Sequence, residues 1–185
     1  MDNTCGFVHL HNHTMYSLLD GAIKPDDLIA YAKKWNMGAI AVTDHGNMFG
    51  AVEFYLKAQK AGIKPIIGSE IYVAIEGMSV KRAARSNNDG ANHLVLLAST
   101  DQGYRNLMKI VSIGYLEGFY YRPRVDKDVL REYADGLIAM SACLGGEIPE
   151  LINQGYPDLA EQAALEYVDI FGEGNFFLEI QDHGL

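Results

Sequence analysis

Short apolar runs alternate with helix-like segments along most of this chain, and this alternation restricts its fold more than any other feature. The run at residues 39–43 is almost wholly apolar, which is typical of a strand buried on both faces of a parallel sheet. Between such runs, apolar residues recur at helical spacing, as at Leu28, Ala32 and Trp35. The order predicts an α/β protein with mainly parallel strands and right-handed crossovers. Six strands are predicted, at residues 7–13, 39–43, 65–73, 94–98, 136–140 and 176–180.

Two α/β architectures fit this order, an open doubly wound sheet and a closed β/α barrel. Both place function at the carboxyl ends of the strands. Polar side chains follow several different strands, which favours the rim of a barrel over a single crevice. They are His11, His13, Asp44, His45, Cys143 and His183. The 185 residues are fewer than the roughly 250 of a complete barrel. We therefore expect residues 1–185 to form a single domain that is a piece of a larger protein.

Residue types mark the ends of several predicted helices. Pro25 suits the first turn of a helix, and the two aspartates after it favour the positive end of the helix dipole. Gly62 is predicted to end the second helix. Asp126 is predicted to cap a short helix through its side chain.

Composition and charge argue against several classes of protein. The formal charge of −9 opposes non-specific binding to nucleic acid, but it leaves room for a phosphate site because bound divalent cations reverse the local sign. No secretory signal and no apolar stretch of membrane-spanning length is recognised. The two cysteines, Cys5 and Cys143, lie far apart, which indicates free thiols in a reducing compartment or a role for one thiol as a ligand. We expect a cytoplasmic protein with no membrane partner.

Three histidines alternate with other residues near the N-terminus. Alternate side chains of an extended strand share a face, so His9, His11 and His13 are predicted to point the same way. Protonated imidazoles would repel one another, and neutral ones each offer a lone pair that needs a partner. A divalent metal ion meets that need, since imidazole is a preferred ligand of zinc and similar ions. The alternative is a surface strand that happens to carry histidines.

Further donor residues lie near later strand ends. With two of the histidines they form a mixed set of imidazole, carboxylate and thiolate groups, which suits zinc or manganese and could hold more than one ion. Sites with several metals activate water near neutral pH and stabilise a phosphoryl group in transfer. The predicted metal ligands are His11, His13, Asp20, His45, Glu70, His93 and Cys143.

Several short motifs occur in a fixed order along the chain. They are His11-x-His13-x-x-Tyr16-Ser17, Asp20-Gly21, Thr43-Asp44-His45-Gly46-Asn47, Gly68-x-Glu70, His93, Tyr115-Leu116-Glu117-Gly118-Phe119 and Glu179-Ile180-Gln181-Asp182-His183-Gly184. This series resembles the PHP (polymerase and histidinol phosphatase) superfamily. More specifically, it resembles the N-terminal PHP domain of bacterial DNA polymerase III alpha subunits, and the resemblance covers the whole chain.

The resemblance implies a distorted seven-stranded β/α barrel, TIM-like in plan, of which this chain would hold about six strands. It also implies a metal centre of up to three zinc ions, or manganese, and a 3′→5′ exonuclease that proofreads DNA in some members. The family's final Asp-x-His pair would fall on a later strand, so the centre encoded here would be incomplete. The implied partners are the single-stranded 3′ end of DNA, the remainder of a bacterial polymerase chain and other replisome subunits.

The resemblance also suggests roles for individual residues. Those expected to act in catalysis are His11, His13, His45 and Asp44, the last as an orienting carboxylate. His9 and His183 are expected either to bind metal or to support a residue that does. His93 presents a conflict, because it precedes its predicted strand and would lie at the wrong rim of an all-parallel barrel.

An aromatic and basic segment at residues 118–124 is the predicted substrate-binding loop. Aromatic side chains can stack on unpaired bases, and guanidinium groups can hold phosphates. The predicted substrate-binding residues are Tyr120, Tyr121, Arg122 and Arg124. Two other functions stay open at this point: a stand-alone phosphatase that acts on a small phosphoester, and a metal-bound structural module without activity.

Overall fold

The computed structural model of the chain describes residues 5–18, 20–81 and 90–182. Within these residues strands and helices follow one another along the chain, and none of the helices is both long and apolar enough to cross a membrane. Their bounds are α1 Pro25–Lys34, β1 Ala39–Val42, α2 Ala51–Ala61, β2 Lys64–Ala74, β3 Ala91–Ala98, α3 Asp101–Leu116, β4 Arg124–Val125, α4 Lys127–Tyr133, β5 Leu137–Met140, α5 Glu147–Asn153, α6 Pro157–Phe171 and β6 Phe176–Phe177.

Local sequence signals set the helix ends, as predicted. Helix α1 begins at Pro25, with acidic residues in its first turn and lysines in its last. Gly62 follows α2 with a φ of 76°, a left-handed conformation that glycine adopts without steric cost. The Asp126 side chain caps α4 by accepting a hydrogen bond of 3.2 Å from the Val129 amide.

The six described strands form one sheet in the order β1-β2-β3-β5-β6, with β4 paired to the end of β2. The pairs β1–β2, β2–β4 and β5–β6 are parallel. In the described part of the chain β1 and β6 do not pair, so the sheet stays open. The predicted fold class is confirmed as a mixed α/β architecture, an open barrel of six strands.

Strand β3 runs antiparallel to both of its neighbours, β2 and β5. The prediction of mainly parallel strands is therefore wrong at this position. The described residues between β2 and β3 contain no helix, and the Ile75 amide donates to the Gly90 carbonyl at 3.1 Å. This hydrogen bond continues the antiparallel pairing one residue beyond the ends of both strands.

The predicted first strand, residues 7–13, is extended beside β1 but is not a strand. The Ala41 amide within β1 donates to the His9 carbonyl at 3.1 Å, and the Thr43 amide just after β1 donates to the Asn12 carbonyl at 2.9 Å. Those acceptors are three residues apart and their donors only two apart, so an extra residue interrupts regular pairing. Strict alternation of side chains is lost, and His9 is exposed while His11 and His13 are half-buried.

The described helices pack against one face of the sheet. The buried clusters beneath them include alternate strand residues such as Ile40 and Ile71. The opposite face carries a smaller apolar cluster that includes Val95 and Met140, and no described helical residue belongs to it. Helices on one side only are expected of a barrel wall, whereas a doubly wound sheet has them on both. Glu70 pairs with Val95 and therefore lies on the helix-free face.

Arg124 is buried, with only 3% of its surface exposed. Its guanidinium donates to the main-chain carbonyls of Gly118, Met78 and Val80 at 3.3, 3.4 and 3.0 Å. The expectation that Arg124 holds a phosphate of the substrate is corrected by this placement. The reason is that strand β4, which the sequence pattern did not indicate, turns the end of the aromatic loop into the sheet.

Replacing Arg124 with methionine should lower the free energy of unfolding by about 2–3 kcal/mol, because buried carbonyl acceptors lose their donor. The matched control is Arg131→Met, which removes an exposed arginine paired with Asp169 and Glu166. We expect the control to cost less than about 1 kcal/mol. Urea unfolding of both variants measures the difference, and equal effects would contradict a structural role for Arg124.

Candidate metal centre

A buried glutamate is the centre of a cluster of donor side chains. The Glu70 side chain is 0% exposed. Its Oε2 lies 2.8 Å from His11 Nε2 and 2.9 Å from His13 Nε2. Its Oε1 contacts His93 Nδ1. A carboxylate without access to water needs such partners, since an unpaired buried charge is very costly.

Two of these histidines come from the extended segment beside β1. His11 Nε2 and His13 Nε2 both face the same oxygen of Glu70 and lie only 3.2 Å from each other. Two ring nitrogens at this distance repel each other if both carry protons. A shared cation beside them would remove that conflict, because both nitrogens could then present lone pairs.

His45 enters the cluster from the turn that follows β1. Its main chain forms a parallel bridge with Glu70, and the next residue, Gly46, has a φ of 59° that favours glycine. His45 Nδ1 lies 3.5 Å from Glu70 Oε2, and its ring stacks on His13 with centroids 4.0 Å apart. His45 Nε2 lies 2.7 Å from Asp20 Oδ2. The exposed Asp20 therefore joins the cluster through His45.

The antiparallel direction of β3 places His93 in the same cluster. The first residues of β3 lie beside the last residues of β2, and His93 pairs with Tyr72. This removes the conflict seen in the sequence, which arose from assuming that all strands are parallel. Cys143 follows β5, and its Sγ lies 3.6 Å from His93 Nδ1 and 3.8 Å from Glu70 Oε1.

The donor set fits a divalent metal ion. Two groups each offer three donor atoms within 4.8 Å of one another, and Glu70 belongs to both. The Nδ1 atoms of His13 and His45 are buried and have no hydrogen-bond partner. Imidazole, carboxylate and thiolate are the ligands that zinc and its neighbours accept in proteins. The side chains brought together are His11, His13, Asp20, His45, Glu70, His93 and Cys143.

The pKa values of the cluster show how the buried charge is balanced when no ion is bound. Burial lowers the pKa of His11, but hydrogen bonds to Glu179 and Glu70 outweigh this and raise it to about 10. Burial also lowers the pKa of His93, and its contacts with Cys143 and Glu70 raise it to about 9. Burial raises the pKa of Glu70, but its histidine partners hold it well below its ordinary value. Protons on His11 and His93 thus balance the buried charge that a cation would otherwise balance.

Asp44 is buried, but its carboxylate serves a different purpose from the metal donors. Asp44 Oδ1 accepts from the Thr14 amide at 2.6 Å and from Ser17 Oγ at 2.7 Å, and Oδ2 accepts from Thr14 Oγ1 at 2.8 Å. These bonds fix the turn between His13 and Asp20. The geometry supports the orienting role expected of Asp44 and gives no contact through which it would act on a substrate.

His9, another candidate ligand, is not part of this cluster. His9 is exposed, and its ring lies edge-on to Phe7 with centroids 4.9 Å apart. It belongs to neither donor group. His183 lies outside the described residues. The expectation that His9 binds or supports a metal depended on regular strand alternation, which the interrupted pairing with β1 removes.

Two residues near the cluster were not expected from the sequence. Glu179 Oε1 lies 2.8 Å from His11 Nδ1. The Tyr72 ring lies 5.2 Å from the ring of His93 and 6.2 Å from that of His45. Tyr72 could have been found, because it is two residues after Glu70 on the same strand and so shares its face. The sequence signal for Glu179 is weaker than that for Tyr72, because it consists only of a position in the last predicted strand.

The predicted substrate-binding loop is only partly available at the surface. Tyr121 is 73% exposed, and Tyr120 is half-buried. The Arg122 guanidinium lies 5.0 Å from the centre of the Tyr72 ring, which connects this loop to the cluster. Arg124 is buried below the loop. Of the two arginines, Arg122 is therefore the one positioned near the metal ligands.

Residues 9–183 match the family model described as the PHP domain. The chain belongs to the PHP domain family. Among curated PHP relatives, a DNA polymerase III subunit alpha of Thermus aquaticus is 52% identical over 187 residues, covering 100% of this chain and 15% of its own length. The corresponding subunit of Borreliella burgdorferi is 53% identical over 179 residues, with 97% and 15% covered. The chain thus spans about 15% of the length of these relatives.

Solved structures similar to this PHP chain include two bacterial proteins. A two-domain protein of Bacteroides vulgatus, described as containing a predicted PHP-like metal-dependent phosphoesterase, has a TM-score of 0.44 and 19% identity, with 86% of this chain and 48% of that chain covered. An amidohydrolase of Chromobacterium violaceum, solved with sulfate and no metal, has a TM-score of 0.42 and 27% identity, with 58% and 33% covered.

The central position of Glu70 in this PHP chain leads to a prediction about metal uptake. Glu70→Gln should lower the amount of zinc or manganese retained after reconstitution and dialysis, because both donor groups lose their shared carboxylate. Glu161→Gln, an exposed position on α6, is the matched control. Elemental analysis of wild type and both variants measures the effect. Equal metal content in all three proteins would contradict a centre built around Glu70.

Proposed function

We propose that this chain is a metal-dependent phosphoesterase module that removes nucleotides from the 3′ end of single-stranded DNA. The observation that carries this proposal is the convergence of four histidines on the buried carboxylate of Glu70, with the exposed carboxylate of Asp20 beside one of them. Membership of the PHP family agrees with it. Zinc, with up to three ions, or manganese is the proposed cofactor.

The residues of the cluster have separate tasks in this proposal. His11, His13 and Glu70 would hold one ion, and His45 and His93 would hold a second one that shares Glu70. Cys143 and Asp20 extend the ligand set. Divalent ions bound there would supply Lewis-acid activation of water and of a phosphate group. Asp44 keeps the turn that carries His13 in place, so that the donor atoms stay within binding distance of one another.

The loop beside the cluster favours single-stranded DNA as the substrate. Arg122 is close enough to Tyr72 to stack on its ring, and Tyr72 is next to two of the donor histidines. A guanidinium held there can pair with a phosphate. Tyr121 is exposed and can stack on an unpaired base, which suits single-stranded nucleic acid. A small phosphoester would use the arginine but would leave the tyrosine without a role.

The identity of the curated relatives suggests the setting of this activity. We propose that the chain works as part of a bacterial replicative polymerase alpha subunit in the cytoplasm, where it proofreads the growing strand. Its partners would then be DNA, the rest of the polymerase chain and other replisome subunits. Local positive charge must guide the DNA, since the formal net charge of −9 opposes its approach elsewhere.

Replacing His13 with alanine should abolish hydrolysis without unfolding the protein. We expect a loss of at least about 100-fold, because even residues that only support metal ligands contribute 10- to 100-fold. The measurement follows mononucleotide release from a labelled single strand with zinc or manganese present, beside circular dichroism of both proteins. Equal rates would indicate a contaminating nuclease. Metal binding without hydrolysis of DNA would favour a structural module, and hydrolysis of small phosphoesters alone would favour a phosphatase.

Replacing Arg122 with glutamine should weaken binding of single-stranded DNA and make it less dependent on salt. Loss of one phosphate contact is expected to reduce the slope of log K against log salt by about 0.7. Arg105→Gln is the control, since Arg105 is an exposed arginine on α3. Fluorescence anisotropy at several salt concentrations measures the slope. An unchanged slope for Arg122→Gln would mean that this arginine does not contact the DNA.

A further inference from the structure

Glu179 lies behind His11, at the ring nitrogen that does not face the donor cluster. His11 Nε2 contacts Glu70 and His13, while His11 Nδ1 lies 2.8 Å from Glu179 Oε1. Glu179 belongs to neither group of donor atoms. It follows directly on the last described strand, two residues after Phe177.

Three interactions hold Glu179 in this position. Its amide donates to Ser141 Oγ at 2.9 Å, and the Ser141 amide donates to the Phe177 carbonyl at 3.0 Å, which extends the pairing of β5 and β6. Gln181 Nε2 donates to Glu179 Oε1 at 2.7 Å. The Glu179 side chain is 11% exposed. Its place beside His11 is therefore fixed by the edge of the sheet.

The cost of this arrangement argues against a purely structural role. Glu179 Oε2 is buried and has no hydrogen-bond partner. An unsatisfied buried acceptor destabilises a fold, and such groups concentrate where function requires them. Asp44 provides a contrast within the same chain, because both of its carboxylate oxygens accept hydrogen bonds and hold a turn.

The chemistry of the pair determines which nitrogen of His11 carries a proton. An ionised carboxylate can only accept hydrogen bonds, so the contact requires a proton on His11 Nδ1. In the neutral imidazole the lone pair is then on Nε2, which faces Glu70 and His13. Carboxylates that fix a ligand histidine in this way also limit rotation of its ring.

We propose that Glu179 is a positioning residue, which holds His11 as the Nδ1-protonated tautomer and so presents its Nε2 lone pair to a bound metal ion. This inference rests on the proposed metal centre and adds to it a residue that acts through a ligand. If this is correct, another acceptor of the same reach can replace the Glu179 carboxylate. The requirement is only that the group accepts a hydrogen bond from His11 Nδ1.

The test uses zinc alone as the probe and compares Glu179→Ala with Glu179→Gln. Glutamine keeps an acceptor oxygen at the same reach, whereas alanine removes it. We expect alanine to weaken zinc binding by about 10- to 100-fold and glutamine to retain most of the affinity. Glu173→Ala, which alters an exposed carboxylate in the turn before β6, should bind zinc like wild type. Competition with a chelator measures the affinities.

The His11 tautomer gives a second readout, which needs no variant that could unfold. Long-range proton–nitrogen NMR of the zinc-loaded wild type should show a proton on Nδ1 and the metal-bound nitrogen at Nε2. The opposite tautomer would overturn the inference. Alanine binding zinc like wild type, or glutamine losing as much affinity as alanine, would also overturn it. Zinc binding with the expected tautomer but no hydrolysis would refute the proposed function and leave this inference standing.

Discussion

The cluster of donor side chains depends on one buried carboxylate, that of Glu70, whose charge must be neutralised. Glu70 has no access to water and lies on the face of the sheet that no described helix covers. A charge in that position is tolerated only if donors surround it, because burying it alone costs several kcal/mol, a large share of the stability of a whole domain. His11, His13 and His93 supply those donors. The same requirement makes the site suitable for divalent cations, which can replace the protons of the histidines.

The one-sided packing of helices and the reversal of a single strand create the space for this cluster. With helices on one face, the other face presents a small apolar layer, and Glu70 lies beside Val95 of that layer. Strand β3 runs antiparallel to both of its neighbours, so its first residues lie beside the last residues of β2. His93 therefore lies beside candidate ligands that follow β1 and β5, although it is near the start of its own strand.

Arg122 and Arg124 show how little the sequence says about neighbouring residues of the same type. Both lie in one aromatic loop, and both were expected at the surface. The two arginines lie in different environments because of the two-residue strand β4. This strand places Arg124 in the interior, while Arg122 stays beside Tyr72. Pairing of so short a segment depends on the neighbouring strand β2 and not on local propensity, so no local pattern could have indicated it.

The sequence by itself determined the α/β class and the ends of several helices, and it pointed to the side chains that meet around Glu70. These depend on local chemistry: Pro25 and Asp126 act within one helical turn, and a cluster of imidazole and carboxylate groups has few purposes other than binding a cation. Only the tertiary structure decided the direction of β3, the loss of His9 from the cluster and the placement of Glu179 behind His11. Each of these depends on contacts between residues far apart in the chain, which local pattern and periodicity do not encode.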